Sequence, residues 1–246
     1  MTSIHEAIAA RVSCRAYDER PVEAEKLEQL AVAVDRANAQ STSGVRFELA
    51  STQGQGAPVV KLSRAMFTGQ VFHCIVCLGP NTVLAREQAG YFGEELVLLA
   101  TQLGLGTCWV AGTYDRETLK ANVQPGEEVI SIIPVGYATE KTPFKQRTIR
   151  NALRGKDKPY EKLVAGDVAS TPAWFEAGVR ASMLAPTAVN LQPVVYAWQD
   201  GAAIATMPGT TRSIQDIDLG ICKLHFKLGS QQDGTWEWGV DARFAL

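Results

Sequence analysis

One pattern constrains this chain more than any other, because it occurs twice. A helix, a loop, a strand and then a long helix ending in Leu-Gly follow one another in each half. The first pass begins with a helix over 2–10. A second helix over 23–38 carries Leu27, Leu30, Ala31 and Val34 on one face. A polar loop over 39–44 leads to an alternating strand over 45–51, and 54–58 reads as a turn. The apolar run 71–78 reads as a buried strand, stopped by Gly79-Pro80-Asn81. A helix over 82–103 follows, with Leu96, Leu99, Ala100 and Leu103 spaced as a core-facing stripe. Gly104 and Gly106 end it. The next apolar strand covers 129–137, where Pro134 argues for an edge or a bend.

The stretch 138–158 is polar, basic and without a strong period, so it reads as a connector. Beyond it come a helix over 174–184, a loop over 185–192, a strand over 194–198 and a helix over 214–228. Gly229 is read as the stop of that last helix, and 235–246 as a strand or a strap. Leu103-Gly104 then corresponds to Leu228-Gly229, and the strand at 45–49 to that at 194–196. Such recurrence fits an internal duplication; an α/β chain of this length also shows two such runs by chance. The fold class expected is α+β, with a mixed sheet and a long central helix in each repeat.

Composition removes several function classes. The 246 residues carry 24 Lys and Arg against 26 Asp and Glu, a net charge of −2. A nucleic-acid surface leaves a basic footprint, and none is present. No apolar run approaches the ~20 residues of a membrane helix. The N-terminal residues lack the charged-then-apolar order of a secretion signal. Five cysteines without disulfide-like spacing read as reduced thiols, so a cytoplasmic protein is expected. His73, Cys74 and Cys77 sit in an apolar strand, with the two thiols on opposite faces and no second pair to complete a metal site. Gly104-Leu105-Gly106 follows a helix instead of preceding one, which is the wrong context for a dinucleotide fingerprint. Cys108 and His225 read as structural.

Arg11-Val12-Ser13-Cys14-Arg15 is more specific. In an extended stretch, Arg11, Ser13 and Arg15 share one side. Two guanidiniums and a hydroxyl suit a phosphate monoester; a solvated basic turn after a helix is the alternative. A second candidate is the Pro-bounded loop Ala185-Pro186-Thr187-Ala188-Val189-Asn190-Leu191-Gln192-Pro193, which otherwise reads as a turn into a strand.

Taken with two further stretches, these motifs resemble the nitroreductase family. The run RVSCRAYDERPV resembles its N-terminal Arg-x-Ser-x-Arg signature. GLGTCWVAGTYD (104–115) and VGYATEKTPFKQR (135–147) resemble its second and third motifs, and APTAVNLQP (185–193) its Ala-Pro-Ser-x-x-Asn-x-Gln-Pro loop. Two departures matter. The family's loop lies early in the chain, whereas here the first-half copy (38–46) is degraded and the good copy is in the second half. The second half has no Arg-x-Ser-x-Arg before its helix.

Family members are homodimers with flavin sites shared between subunits. The chain therefore resembles such a dimer fused end to end: residues 1–150 keep the phosphate side, and a shortened half over 151–246 keeps the loop over the ring. One intact FMN site per chain and a monomer are implied. By this resemblance Arg11 and Ser13 bind the phosphate, Val12 also contacts the cofactor, and Arg15 approaches the ribityl chain and the ring edge where reduced flavin carries negative charge. Lys145 and Arg147 match basic residues that close over the phosphate, or are a solvated charge run. Val110, Ala111 and Gly112 supply backbone near the reactive ring nitrogen. Pro186, Thr187, Asn190 and Gln192 cover the pyrimidine side. Thr187 replaces the usual serine and keeps the hydroxyl. The implied activity is ping-pong hydride transfer from NADH or NADPH to a small oxidant, a nitroaromatic or a quinone, with no side chain needed as acid or base for the first step. The rivals are a non-catalytic flavin binder and a different flavin chemistry, dehalogenation or enoate reduction.

Overall fold

The computed structural model describes residues 2–141, 143–154, 157–166, 171–209 and 214–246. The fold is α+β, with six α-helices and two sheets among the described residues. Helix α1 (Ile4–Ala10) starts at Ser3 with a reciprocal cap. The Glu6 amide donates to Ser3 Oγ at 3.2 Å and the Ser3 amide to Glu6 Oε2 at 2.7 Å. Helix α2 (Ala24–Gln40) runs two residues past the predicted end, because Ala39 and Gln40 are themselves good helix formers. Strands β1 (Arg46–Ser51) and β2 (His73–Gly79), helix α3 (Val83–Gln102), and strands β3 (Gly106–Thr107) and β4 (Glu128–Gly136) complete the first half.

Helix α4 (Phe144–Arg154) occupies the stretch expected to be a connector. The stretch is so polar on average that its one-sided placing of the few apolar residues is easily passed over, and its Lys, Gln, Arg, Ala and Leu residues all favour a helix. Next come β5 (Val164–Ala165), α5 (Ala173–Ser182), β6 (Val195–Gln199), β7 (Ala202–Thr206), α6 (Ile214–Ser230), β8 (Thr235–Trp236) and β9 (Ala242–Ala245).

The two sheets share a topology. The first has the order β1-β2-β4-β3 and is antiparallel throughout. The second has the order β5-β6-β7-β9-β8, antiparallel except for the parallel β5–β6 pair. Without β5, the second sheet is the first with β6, β7, β9 and β8 standing for β1, β2, β4 and β3. Strand β2 is buried on both faces: Ile75 and Cys77 enter the main core, while Cys74, Val76 and Leu78 enter a smaller core behind the first sheet.

Pro134 lies inside the first sheet, between β2 and β3, and not on its edge. Its missing N–H is harmless for a local reason. Pairing across that flank joins Gly136 and Val135 to β3 and Ile132 to Val110, and skips Pro134. The carbonyl of Pro134 turns to the same flank and accepts from the Tyr17 hydroxyl at 3.3 Å.

Helices α3 and α6 cross at the centre of the molecule, backbone against backbone. A Cβ on Gly90 meets the Ile217 carbonyl oxygen at 2.0 Å, and one on Gly220 meets the Glu87 oxygen at 1.9 Å. Exchanging 87 with 217 and 90 with 220 turns one contact into the other, the reciprocity of a two-fold interface. That register replaces the predicted match of Leu103-Gly104 to Leu228-Gly229. Gly229 also does not end α6: the helix continues to Ser230, and Gln231 takes the left-handed turn at φ 56°. Gly229 is small because α5 passes against it, with Ala181 Cβ 2.2 Å from where a side chain would begin.

The tail is both strand and strap. Between β8 and β9 it crosses to α3, where Trp238 packs edge-on against Tyr91 at 5.4 Å. Beneath it lies a fully buried Glu87–Lys223 ion pair. Lys223 Nζ also donates to the Glu237 and Gly239 carbonyls at 2.9 and 2.8 Å, and Glu87 accepts from the Gly239 amide at 2.7 Å. Each buried charge therefore has partners, the condition under which such a pair is tolerated.

Candidate active site

The chain leaves α1 in an extended run that pairs with β3: Ser13 bridges to Thr107, and the Cys14 amide donates to the Thr107 carbonyl at 2.7 Å. Extended backbone turns alternate side chains to opposite sides. Cys14 and Ala16 are buried, and Arg11, Ser13 and Arg15 turn to a cleft. The far wall of the cleft comes from the second half: Met183–Thr187, Val189 and Asn190. This cleft has a volume of about 230 Å3.

Two smaller cavities share Ser13 and Arg15 with it. One, of about 80 Å3, runs beneath Val12–Ala16 to Gly106, Ala138, Thr139 and Gln146. The other, of about 100 Å3, is bounded by Trp109, Val110, Ala111 and Ser131 on one side, and by Pro186–Val189 and the α6 residues Ile214, Ile217, Asp218 and Ile221 on the other. Taken together, the three spaces reach the lower end of the roughly 300–1,000 Å3 typical of cofactor sites.

Nine of the thirteen candidate residues thus meet around one space: Arg11, Val12, Ser13, Arg15, Val110, Ala111, Pro186, Thr187 and Asn190. Four do not line it. Gly112 lies outside the three cavities. Lys145 Nζ donates to the Arg64 carbonyl at 2.9 Å, and Arg147 lies over the Phe144 ring at 5.5 Å; their neighbour Gln146 is the α4 side chain that reaches the site. Gln192 is buried, and its amide holds the loop. Its Oε1 accepts from the Lys158 amide at 2.6 Å and its Nε2 donates to the Met183 carbonyl at 3.0 Å.

That loop is strained. Val189, Asn190 and Gln192 all have positive φ (45°, 56° and 43°), a region a β-branched valine rarely enters. Strain of about 1–3 kcal/mol per residue persists only where surroundings impose it. Here the Gln192 amide donates to Thr187 Oγ1 at 3.0 Å and the Ala188 amide to Asp218 Oδ1 at 2.9 Å. Asn190 Nδ2 donates to Asp157 at 2.7 Å, which places a carboxylate at the mouth of the cleft.

Arg11 is less free than its spacing suggests. Its side chain is 11% exposed; Nη2 donates to the Leu184 carbonyl at 3.1 Å, and Nε lies 3.7 Å from Glu94 Oε1. Burial works against its charge, and Glu94 favours it. Among the described residues, Arg15 has no carboxylate within ion-pair distance. Arg15 and Ser13 are therefore the principal donors to an anion here, with Arg11 tying the two walls together.

Sequence reasoning missed three residues. Glu94 is a buried hub: Oε2 accepts from the Trp109 indole at 2.8 Å, and Oε1 lies 2.9 Å from His225 Nε2. Its one sequence signal is the seven-residue interval from Glu87, which puts two acids on one side of an apolar helix. Trp109 walls the smaller cavity and lies within the 104–115 motif. Asp218 lines the same cavity; burial pushes its carboxyl up to about 7, and the Ala188 amide opposes that shift.

A cleft faced by Arg11, Ser13 and Arg15 and a smaller cavity with both polar and apolar walls thus meet in an α+β protein with two like-ordered sheets. The sequence profile of the family described as "Putative TM nitroreductase" matches residues 3–230, and the chain belongs to that family. No curated protein matches it. A solved structure of a putative nitroreductase from Thermotoga maritima aligns with 99% of this chain and 93% of its own, at 20% identity and a TM-score of 0.67, a likeness of fold. An FMN-dependent nitroreductase from Clostridium difficile aligns with 55% of this chain and 88% of its own, at 25% identity and a TM-score of 0.44. A nitroreductase family protein from Clostridium difficile covers 68% of this chain and 99% of its own, at 21% identity and a TM-score of 0.46. No helix among the described residues is long and apolar enough to cross a membrane.

Proposed function

We propose that this chain is an FMN-dependent oxidoreductase with one flavin site per molecule. The observation that carries the reading is the meeting of Arg11–Arg15 with Pro186–Asn190 across one cleft. The donor set fits the cofactor. Arg15 and Ser13 offer charge-assisted and hydroxyl donors to a phosphate. Trp109, Ile217 and Ile221 offer apolar walls to a ring, and Thr187 and Asn190 offer mixed donors and acceptors to its polar edge. Bound FMN would supply hydride transfer from NADH or NADPH to a small oxidant, a nitroaromatic or a quinone, in turn at one site. The protein's own part is positioning, exclusion of water and a fixed positive charge from Arg15.

We further propose that residues 1–150 and 151–246 are two repeats of one ancestral subunit. The repeated strand order and the reciprocal Gly90–Ile217 and Gly220–Glu87 contacts support this reading. With both walls of the site in one chain, a monomer suffices. Five buried free thiols fit a reducing compartment such as the cytoplasm.

The test is a titration of the purified chain with FMN, followed by flavin fluorescence, and then anaerobic addition of NADH or NADPH. Quenching that saturates at one FMN per chain, followed by bleaching, is the expected result. No binding sinks the proposal, and binding without bleaching makes the chain a flavin carrier.

A further inference from the structure

We propose that Asp218 is the proton-carrying group of the cavity it lines: its carboxyl holds a proton and passes it to the molecule reduced there. This inference rests on the flavin reading above. The geometry singles out this side chain. Asp218 is 3% exposed and lines the cavity beside Ser13, Arg15, Trp109, Pro186 and Thr187. Its two oxygens are not equivalent. Oδ1 accepts from the Ala188 amide, whereas Oδ2 is sealed from solvent and has no hydrogen-bond partner among the described residues. A buried carboxylate oxygen without a partner costs several kcal/mol as an anion, so the group keeps its proton.

The surrounding groups leave it that way. On α6, Cys222 is one turn further on and burial holds its thiol neutral; Asp216 is paired with Arg86. From the loop, Thr187 Oγ1 is engaged by the Gln192 amide. From β4, the Ser131 hydroxyl donates to the Val110 carbonyl at 3.1 Å. From α3, Glu94 is spent on Trp109 and His225. Arg11 turns to Glu94 and Leu184, and Arg15, across the cavity, forms no ion pair with Asp218.

The chemistry needs such a proton. A quinone that accepts a hydride from reduced flavin becomes a hydroquinone monoanion, one proton short of its product. The carboxyl O–H bond breaks as the product O–H bond forms. The carboxylate left behind takes a proton from solvent through the cavity before the next cycle, so charge and atoms balance. The same residue fixes the loop through Oδ1 and lines the cavity.

The test compares the full wild-type chain with Asp218→Asn, which keeps an oxygen for the Ala188 amide and loses the acid. FMN affinity is measured from about pH 5.5 to 8.5 by flavin fluorescence. In the wild type, ionisation of Asp218 places a negative charge beside the ring, so Kd rises with pH, approaching tenfold per unit above the transition. The asparagine variant lacks that rise and shows only the titration of the FMN phosphate. A second readout needs no flavin: the variant melts higher than the wild type at about pH 8 and at the same temperature at about pH 4. Identical pH profiles for FMN in the two proteins overturn the assignment, as do identical melting temperatures at both pH values. Absence of FMN binding by the wild type at every pH overturns the flavin reading, and the role of Asp218 with it.

Discussion

Replacing Gly220 with alanine tests the packing on which the whole site depends. The added methyl would lie 1.9 Å from the Glu87 carbonyl oxygen and 2.7 Å from the Tyr91 nitrogen, both main-chain atoms of α3. Ordinary contact needs roughly 3.5 Å, so the helices must part by more than 1 Å. Nothing flexible can move instead. Two terms oppose each other. Alanine gains about 1 kcal/mol of helix propensity over glycine. Parting the crossing forfeits up to about half the dispersion energy across it. If the crossing makes as many atom pairs as one buried leucine, roughly 40–60 at ~0.1–0.2 kcal/mol, the loss is about 2–6 kcal/mol. The net expectation is a destabilisation of about 3 kcal/mol, read by urea denaturation monitored through tryptophan fluorescence. Gly112→Ala is the control, since a methyl there meets nothing within 4 Å, and its change should stay within about 0.5 kcal/mol. A Gly220→Ala protein as stable as that control would refute the backbone-to-backbone crossing.

Three further outcomes follow from the site. Arg15→Ala should raise the Kd for FMN roughly tenfold to a hundredfold, the worth of a hydrogen bond to a charged group, with little change in melting temperature. Glu94→Ala should cost about 3–5 kcal/mol in chemical denaturation, because it strips the Trp109 and His225 contacts and leaves Arg11 buried without its counter-charge. Asp218 makes stability depend on pH with a definite sign. Its carboxyl goes from an ordinary 3.8 to about 7 in the fold. Between those values the folded chain holds a proton that the unfolded chain has released, so stability falls as pH rises through that window. Asp218→Asn removes the penalty and should stabilise the protein by up to about 4 kcal/mol above pH 7, and by nothing near pH 3; a gap independent of pH would show that the group does not titrate there.

Much of the fold was legible because its long helices and buried strands announce themselves by period. The stripe at Leu96, Ala100 and Leu103 located α3, and the apolar run at 71–78 located β2. The misses have physical causes. Helix α3 is buried nearly all round, so Glu87, Gln88 and Glu94 lie in the interior, where a stripe-based reading puts polar residues outside. Strand β7 is built from Ala202, Ala203, Ile204 and Ala205, too small to mark a strand by bulk. Gly229 reads as a helix stop because glycine serves both turns and close packing, and only the position of α5 distinguishes them. In the site, the alternation of extended backbone is enough to put Arg11, Ser13 and Arg15 on one cleft. Lys145, Arg147 and Gln192 were legible as polar groups near the site, but whether a long side chain faces a cavity or a neighbouring carbonyl is a tertiary matter.

The reciprocal crossing also puts two helix residues in equivalent places with different duties. The exchange that relates Gly90 to Gly220 relates Gln88 to Asp218, and each of these residues holds the loop of its own half. Gln88 spends its whole amide there: Oε1 accepts from the Thr42 and Ser43 amides at 2.9 and 3.0 Å, and Nε2 donates to Thr42 Oγ1 at 2.8 Å. Asp218 spends one oxygen on Ala188 and leaves the other without a partner. A neutral amide with every group satisfied makes a stable loop and no chemistry. A carboxyl with one oxygen unsatisfied makes a less stable loop, with a proton to give. The loop at 38–46, which lacks the Pro-Thr-x-x-Asn pattern, is thus the one held by a fully engaged amide. Asp218→Gln, which copies the first-half residue, should therefore raise stability above pH 7 and, like the asparagine variant, remove the rise of the FMN Kd with pH. A variant in which stability rises while that pH dependence of FMN binding persists would break the link between the two.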